Sequence, residues 1–280
     1  MHKKILVCKY TAIKRLVLTQ LRYFLSINAD VNNFITAPIQ NIPLYKGRDY
    51  NKILYISGIA LQISNSQNFP AIILAKALLS HFVTNCNNNF DTQVVSPGWI
   101  NLQMKDVFLA DWLDQIIGEE ALLVPCISIY PSSSFFNIQY AHARCCSLLR
   151  LGNQERIIQL EYFEENMPLG ITFPKPISWL DSCQKLYFSH PSSFNLLSEL
   201  ISTIDDIDFF EGSNEVKWDR VALRLSDAFF RFWNDCQIFG ENKRKSLELS
   251  QAYLGLIFIT QSVLRFLLEN KLGVRALVEL

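Results

Sequence analysis

The sequence predicts two domains, an α+β domain at the amino-terminal side followed by an all-α helical bundle. Three observations lead there. A β-branched and aromatic run over residues 92–104 is split by Pro97-Gly98 into two strand-like pieces. From Phe136 onward apolar residues recur at three- and four-residue spacing almost throughout. Between these parts, Pro131 followed by three serines marks a boundary. The predicted limits are 1–106 for the α+β domain, 107–133 for a linker and 134–280 for the bundle.

The elements follow in chain order. Residues 11–27 read as an amphipathic helix: Ile13, Leu16, Val17, Leu21, Phe24 and Leu25 form one stripe, while Lys14, Arg15 and Arg22 lie elsewhere. The polar stretch 28–47 reads as loop with room for one short strand. Helices are predicted at about 57–63 and 69–84, the second with Pro70 in its first turn, where no amide hydrogen is missed. The two strand pieces and their tight turn close the first domain. In the second, residues 161–190 interrupt the helical pattern, because Pro168, Pro174 and Pro176 each remove a backbone donor and crowd the preceding turn. Residues 193–203, 217–238 and 245–270 then read as apolar-striped helices, with Gly240 and Gly273 near helix ends.

Composition bounds the function. With 280 residues, 50% of them hydrophobic, the chain can bury a core in each domain and does not have the composition of a disordered protein. Formal net charge is zero. Residues 1–130 hold 11 Lys and Arg against 8 Asp and Glu, and residues 131–280 hold 15 against 18, so contact with a nucleic acid would come from local patches and not from an overall field. The apolar stretch 252–268 is broken by Gln261 and Arg265, and the run 5–8 is short and meets Lys9. Neither a membrane span nor a secretory signal is expected, which points to the cytoplasm. Seven cysteines without a CxxC pair, and four histidines without a zinc spacing, point to buried thiols in a reducing compartment, with no metal and no cofactor. His81 and His190 have no acidic or cysteine partner nearby in sequence. No P-loop, paired-glycine fingerprint or GxSxG elbow occurs, and the chain is expected not to be an enzyme.

The segment Phe135-Phe136-Asn137-Ile138-Gln139-Tyr140-Ala141-His142-Ala143-Arg144-Cys145-Cys146-Ser147-Leu148-Leu149-Arg150 resembles the start of the DALR anticodon-binding domain of arginyl-tRNA synthetases. That helix reads approximately F-V-Q-Y-A-H-A-R-I-C-S-I-L-R. Residues 225–236, containing Arg231-Phe232-Trp233-Asn234, are similar to the family's later R-F-Y-N-x-C helix, with Trp233 where a tyrosine is expected. Val263-Leu264-Arg265 and Leu272-Gly273-Val274 resemble its closing segment, although the usual P-E-R-M end is replaced by residues 275–280. Tyr55-Ile56-Ser57-Gly58-Ile59-Ala60-Leu61-Gln62 and Ser96-Pro97-Gly98-Trp99-Ile100-Asn101-Leu102 resemble two segments of the same enzymes' N-terminal additional domain. Gly58 stands where that family has asparagine. No H-I-G-H-like or K-M-S-K-S-like segment is present between or around these parts.

The resemblance implies a non-catalytic tRNA-binding protein, with arginine tRNA favoured, acting as adaptor, chaperone or regulator. It allows a tRNA-processing or aminoacylation enzyme as partner. Two alternatives stay open: a protein scaffold derived from a synthetase that has lost RNA binding, and the tRNA-binding half of a split synthetase. The residues it marks are Tyr55 in the first domain, and Phe136, Tyr140, Arg144, Arg231, Trp233, Lys243, Arg244, Lys245 and Arg265 in the second. Tyr140 and Arg144 share a helix face and His142 lies roughly opposite. Tyr140 is either half-buried core or, with Phe136, a face on which an unstacked base lies; Arg144 is either a structural ion-pair former or an RNA contact. Lys243-Arg244-Lys245 is the densest basic cluster, either solvated surface or a phosphate patch that Arg231 and Arg265 extend.

Overall fold

The computed structural model describes residues 12–27, 41–49, 51–67, 69–85, 89–118, 135–163, 167–208, 216–240 and 246–280. They divide into two compact units, Ala12–Leu109 and Ala110–Leu280. The chain is thus mixed, with an α+β unit and a mainly helical one.

In the first unit, helix α1 (Ile13–Ile27) buries Ile13, Val17, Leu21, Phe24 and Leu25 as its stripe requires, with Leu18 inside and Leu16 only half-buried. Four antiparallel strands, β1 (Leu44–Lys46), β2 (Leu54–Ser57), β3 (Phe90–Val95) and β4 (Trp99–Met104), pair in the order β1-β2-β4-β3. The Pro97-Gly98 turn joins β3 to β4: Val95 pairs with Trp99, and the Gly98 amide donates to the Val95 carbonyl at 3.0 Å. Strand β2 is an addition to the expected elements. Its four residues are apolar or small, so the alternation that buries Tyr55 and Ser57 leaves no polar partner to reveal a period of two. Ser57 therefore belongs to a strand and not to a helix. Its hydroxyl donates to the Pro43 carbonyl at 3.0 Å and accepts the Ile59 amide at 3.3 Å, which sets the start of α2 (Ile59–Gln67). Helix α3 (Ala71–Asn85) follows Pro70.

Part of the stretch expected as linker is helical. Helix α4 (Asp106–Gly118) occupies its first part, and residues 119–134 lie outside the described residues. The helix buries Leu109, Ala110, Trp112 and Leu113, and Asp106 suits the positive end of the helix dipole.

In the second unit, helices α5 (Phe136–Gln154), α6 (Pro191–Asp208), α7 (Trp218–Asp235) and α8 (Leu247–Phe266) pack together, α8 touching each of the other three. Helix α8 is buried on nearly all sides. Its Ser246 cap accepts the Leu249 amide at 3.1 Å, and its last turn widens into a π-helical turn, Leu267–Lys271. Among the described residues the stretch Leu247–Lys271 is long and apolar enough to cross a membrane by length and composition, yet 83% of its most apolar window is buried inside the protein. That is the pattern of a core helix.

An all-α second unit is not what the structure has. Strands β5 (Gln159–Phe163) and β6 (Met167–Phe173) form an antiparallel hairpin. Pro168 sits in β6 without penalty because both strands of a two-stranded hairpin are edges, with one row of amides unpaired in any case. After the hairpin, Ile177 and Trp179 lie directly on α8 at Gly255, where a Cβ would come within 2.6 Å of the Trp179 ring and 2.7 Å of Ile177. Trp179 is fully buried, and its indole N–H donates to the Asp114 carboxylate at 2.8 Å. Burial pushes the Asp114 carboxyl above its ordinary range, and the Trp179 bond opposes that rise.

Candidate functional site

Helix α5 has two faces. One carries Ile138, Ala141, His142, Cys145 and Leu149 into the core. The other places Phe136, Tyr140 and Arg144 four residues apart, one above the next. The Phe136 and Tyr140 rings are stacked, with centroids 6.0 Å apart and planes 8° from parallel. Tyr140 continues to Phe230 of α7 at 5.8 Å. One turn further on, the Arg144 guanidinium lies 4.1 Å from the centroid of Trp233, which comes from the same α7 face three residues after Phe230. A cation held over an indole in this way is stabilised by the ring quadrupole.

Two features mark this surface as unfinished. Phe136 is 55% exposed and Tyr140 37%, so the stacked pair is open to solvent. The Arg144 Nε–H is buried and has no hydrogen-bond partner among the described residues, and no carboxylate pairs with this guanidinium there. A buried donor left unmade is costly, and a cation without a counter-ion is available to an anion.

Beside the ladder is a groove of about 310 Å³, lined by Tyr140, Arg144, Ser147 and Arg150 on one side and Val278, Glu279 and Leu280 on the other. The far wall is held by three bonds from α5. Gln139 donates to the Arg275 carbonyl at 3.1 Å, His142 Nδ1 to the Leu277 carbonyl at 2.8 Å, and Arg150 to the Val278 carbonyl at 3.4 Å. A carbonyl only accepts, so Nδ1 carries the proton, and Nε2 accepts from the Gln261 amide at 2.9 Å. His142 is thus a neutral ring with both nitrogens used. Complete burial drives its pKa down to about 4, with the Leu277 bond partly opposing and Arg265 adding a little. Arg150 also meets Glu279 at 3.2 Å.

The structure brings Phe136, Tyr140, Arg144 and Trp233 together, and it places the other marked residues elsewhere. Tyr55 is fully buried in β2, so its ring is a core residue and has no face to offer a ligand. At Gly58 a Cβ would come within 2.9 Å of the Trp99 ring, so Trp99 fills the space an asparagine side chain would need. Arg231 is exposed on a neighbouring stripe of α7, in line with Arg224 and Asp227. Arg265 turns its Nε to Glu269 at 3.2 Å in a largely buried pair, so its charge is engaged internally. Lys243, Arg244 and Lys245 lie outside the described residues. Of the thiols, Cys145, Cys146 and Cys236 are buried as expected and Cys183 is exposed; Cys8, Cys86 and Cys126 lie outside the described residues.

Sequence reading missed Phe230, Ser147, Arg150 and the wall formed by residues 278–280. The three-residue spacing of Phe230 and Trp233 was the available signal for the first. Nothing local in residues 278–280 announces that they return to α5.

No protein-family model and no solved structure matches the chain. Over 140 residues the chain is 31% identical to the arginine–tRNA ligase of Synechococcus sp. (strain JA-3-3Ab), a stretch covering 50% of this chain and 21% of that protein. The similarity thus covers half of this chain and about a fifth of that ligase.

Proposed function

We propose that the chain is a non-catalytic tRNA-binding protein, arginine tRNA foremost, that acts as adaptor, chaperone or regulator. The observation that carries this is the exposed Phe136–Tyr140 stack beside Arg144, a cation without a carboxylate partner among the described residues. Unpaired bases bind to proteins by lying on aromatic rings or guanidinium planes, and each stacked base contributes about 1–3 kcal/mol. The similarity to an arginine–tRNA ligase supports tRNA as the RNA concerned. The binding surface is then α5 and α7 of the second unit.

The residues present support the non-catalytic half of the proposal. Adenylate formation needs histidines, lysines and helix N-termini on the phosphates, and the sequence holds no H-I-G-H-like or K-M-S-K-S-like segment. A second reading, a protein scaffold derived from a synthetase, draws support from the zero net charge and from the buried Tyr55. One pair of assays separates these. The purified chain should retain unmodified tRNA in a binding titration that weakens with added salt, and should show no arginine-dependent ATP–pyrophosphate exchange. Exchange sustained by contaminant-free protein overturns the non-catalytic claim; failure to bind tRNA at any salt concentration gives the scaffold reading the lead.

A further inference from the structure

Phosphate contacts and base contacts are separable parts of an RNA interface, and the stacked rings account only for the second. The groove next to them has the chemistry of the first. Arg144, Ser147 and Arg150 of helix α5 line it at three-residue spacing, and Tyr140 of the exposed stack lines it as well. A volume of about 310 Å³ admits a phosphodiester with part of its ribose.

The two cations differ in state. Arg144 is oriented by Trp233, carries an unused buried Nε–H, and meets no carboxylate among the described residues. Arg150 is already occupied by an anion, the Glu279 carboxylate at 3.2 Å. That carboxylate is 76% exposed, so its pair with Arg150 is screened by water and contributes little to stability. It can be exchanged for another anion at small cost. A guanidinium favours two parallel bonds to phosphate oxygens over a single solvent-screened contact.

On the reading that RNA lies on Phe136 and Tyr140, we infer that this groove is a phosphate subsite for the stacked nucleotide, bound by Arg144, Ser147 and Arg150, with Glu279 as the side chain the phosphate displaces. The ligand class is a single-stranded RNA nucleotide recognised together with its own phosphodiester. Ser147 donates its hydroxyl to a phosphate oxygen, and Glu279 swings to solvent. Because Glu279 repels the incoming phosphate, it also sets how tightly RNA is held.

The test uses the full chain and an RNA hairpin with a single-stranded loop, titrated over a range of salt concentrations. Arg144→Gln should bind about tenfold more weakly, and its log–log salt slope should become shallower by about 0.7, one single-strand phosphate contact. Glu279→Gln should bind more tightly than the parent and show a steeper slope. Tyr140→Ala, run alongside, should weaken binding and leave the slope unchanged. If Tyr140→Ala weakens binding while Arg144→Gln and Glu279→Gln both match the parent in affinity and slope, the phosphate subsite is wrong and the stacking surface stands. If the parent binds no hairpin at all, both fall together. Should Arg144→Gln loosen the helices, the largely exposed Glu279 keeps the test decisive by itself: unchanged affinity and slope in Glu279→Gln overturn the displacement.

Discussion

His142→Ala is expected to lower the unfolding free energy by about 3–5 kcal/mol, from the cavity it leaves and the buried partners it strands. The ring is the joint between α5, α8 and the last residues of the chain: Nδ1 donates to Leu277 and Nε2 accepts from Gln261. The same ring predicts an acid sensitivity. Unfolded, it takes up a proton near its ordinary value of 6.5; folded, only at about 4. Between those values the unfolded chain binds more protons. Its contribution to stability is therefore complete above pH 6.5 and is lost as pH falls towards 4, by about 1.4 kcal/mol per pH unit. Chemical denaturation followed from pH 7 to pH 4 checks both statements. The parent should lose stability steeply in that window, and His142→Gln should lose less per pH unit. Equal slopes in the two proteins would show that the ring is solvated or paired otherwise.

Trp179→Ala should cost a similar amount, about 3–5 kcal/mol, because it removes a fully buried indole packed on α8. The indole sits on Gly255, meets Phe188 edge-on at 6.3 Å, and donates to Asp114. Trp179→Phe separates the two contributions. It keeps most of the ring and removes the N–H, so it should cost about 1.5–3 kcal/mol, the value of a hydrogen bond to a charged acceptor. Thermal or denaturant unfolding of both variants decides the matter, and a Trp179→Ala chain as stable as the parent would remove this contact from the account of the core.

The helices were the most legible part of the sequence, and each for a physical reason. The stripe Ile13, Val17, Leu21, Phe24 repeats often enough to declare one buried face, and α5 and α7 carry equally plain patterns. Pro97-Gly98 announced its hairpin because few other structures accommodate that pair. Strand β2 escaped notice because the residues that alternate with buried Tyr55 and Ser57, Leu54 and Ile56, are both apolar. The hairpin β5–β6 was legible only as a place where helix is forbidden, since its prolines say what cannot form and not what does. Helix α4 was hidden by the serine-marked boundary that follows it. At the site, the i, i+4 spacing of Tyr140 and Arg144 was visible in one dimension, and the structure adds Phe136, stacked on Tyr140 one turn earlier. The groove was not, because its second wall comes from residues more than 120 positions away, joined to α5 through backbone carbonyls that carry no sequence signature.

The central claim is that an exposed aromatic stack on α5 holds an unpaired tRNA base. Its most direct test is the affinity of Tyr140→Ala for unmodified tRNA, measured across salt concentrations with the fold checked by circular dichroism and thermal unfolding. Tyr140 acts by stacking and carries no charge, so its loss should weaken binding by about 1–3 kcal/mol and leave the salt dependence as in the parent. A folded Tyr140→Ala chain that binds tRNA as tightly as the parent at every salt concentration would contradict the account.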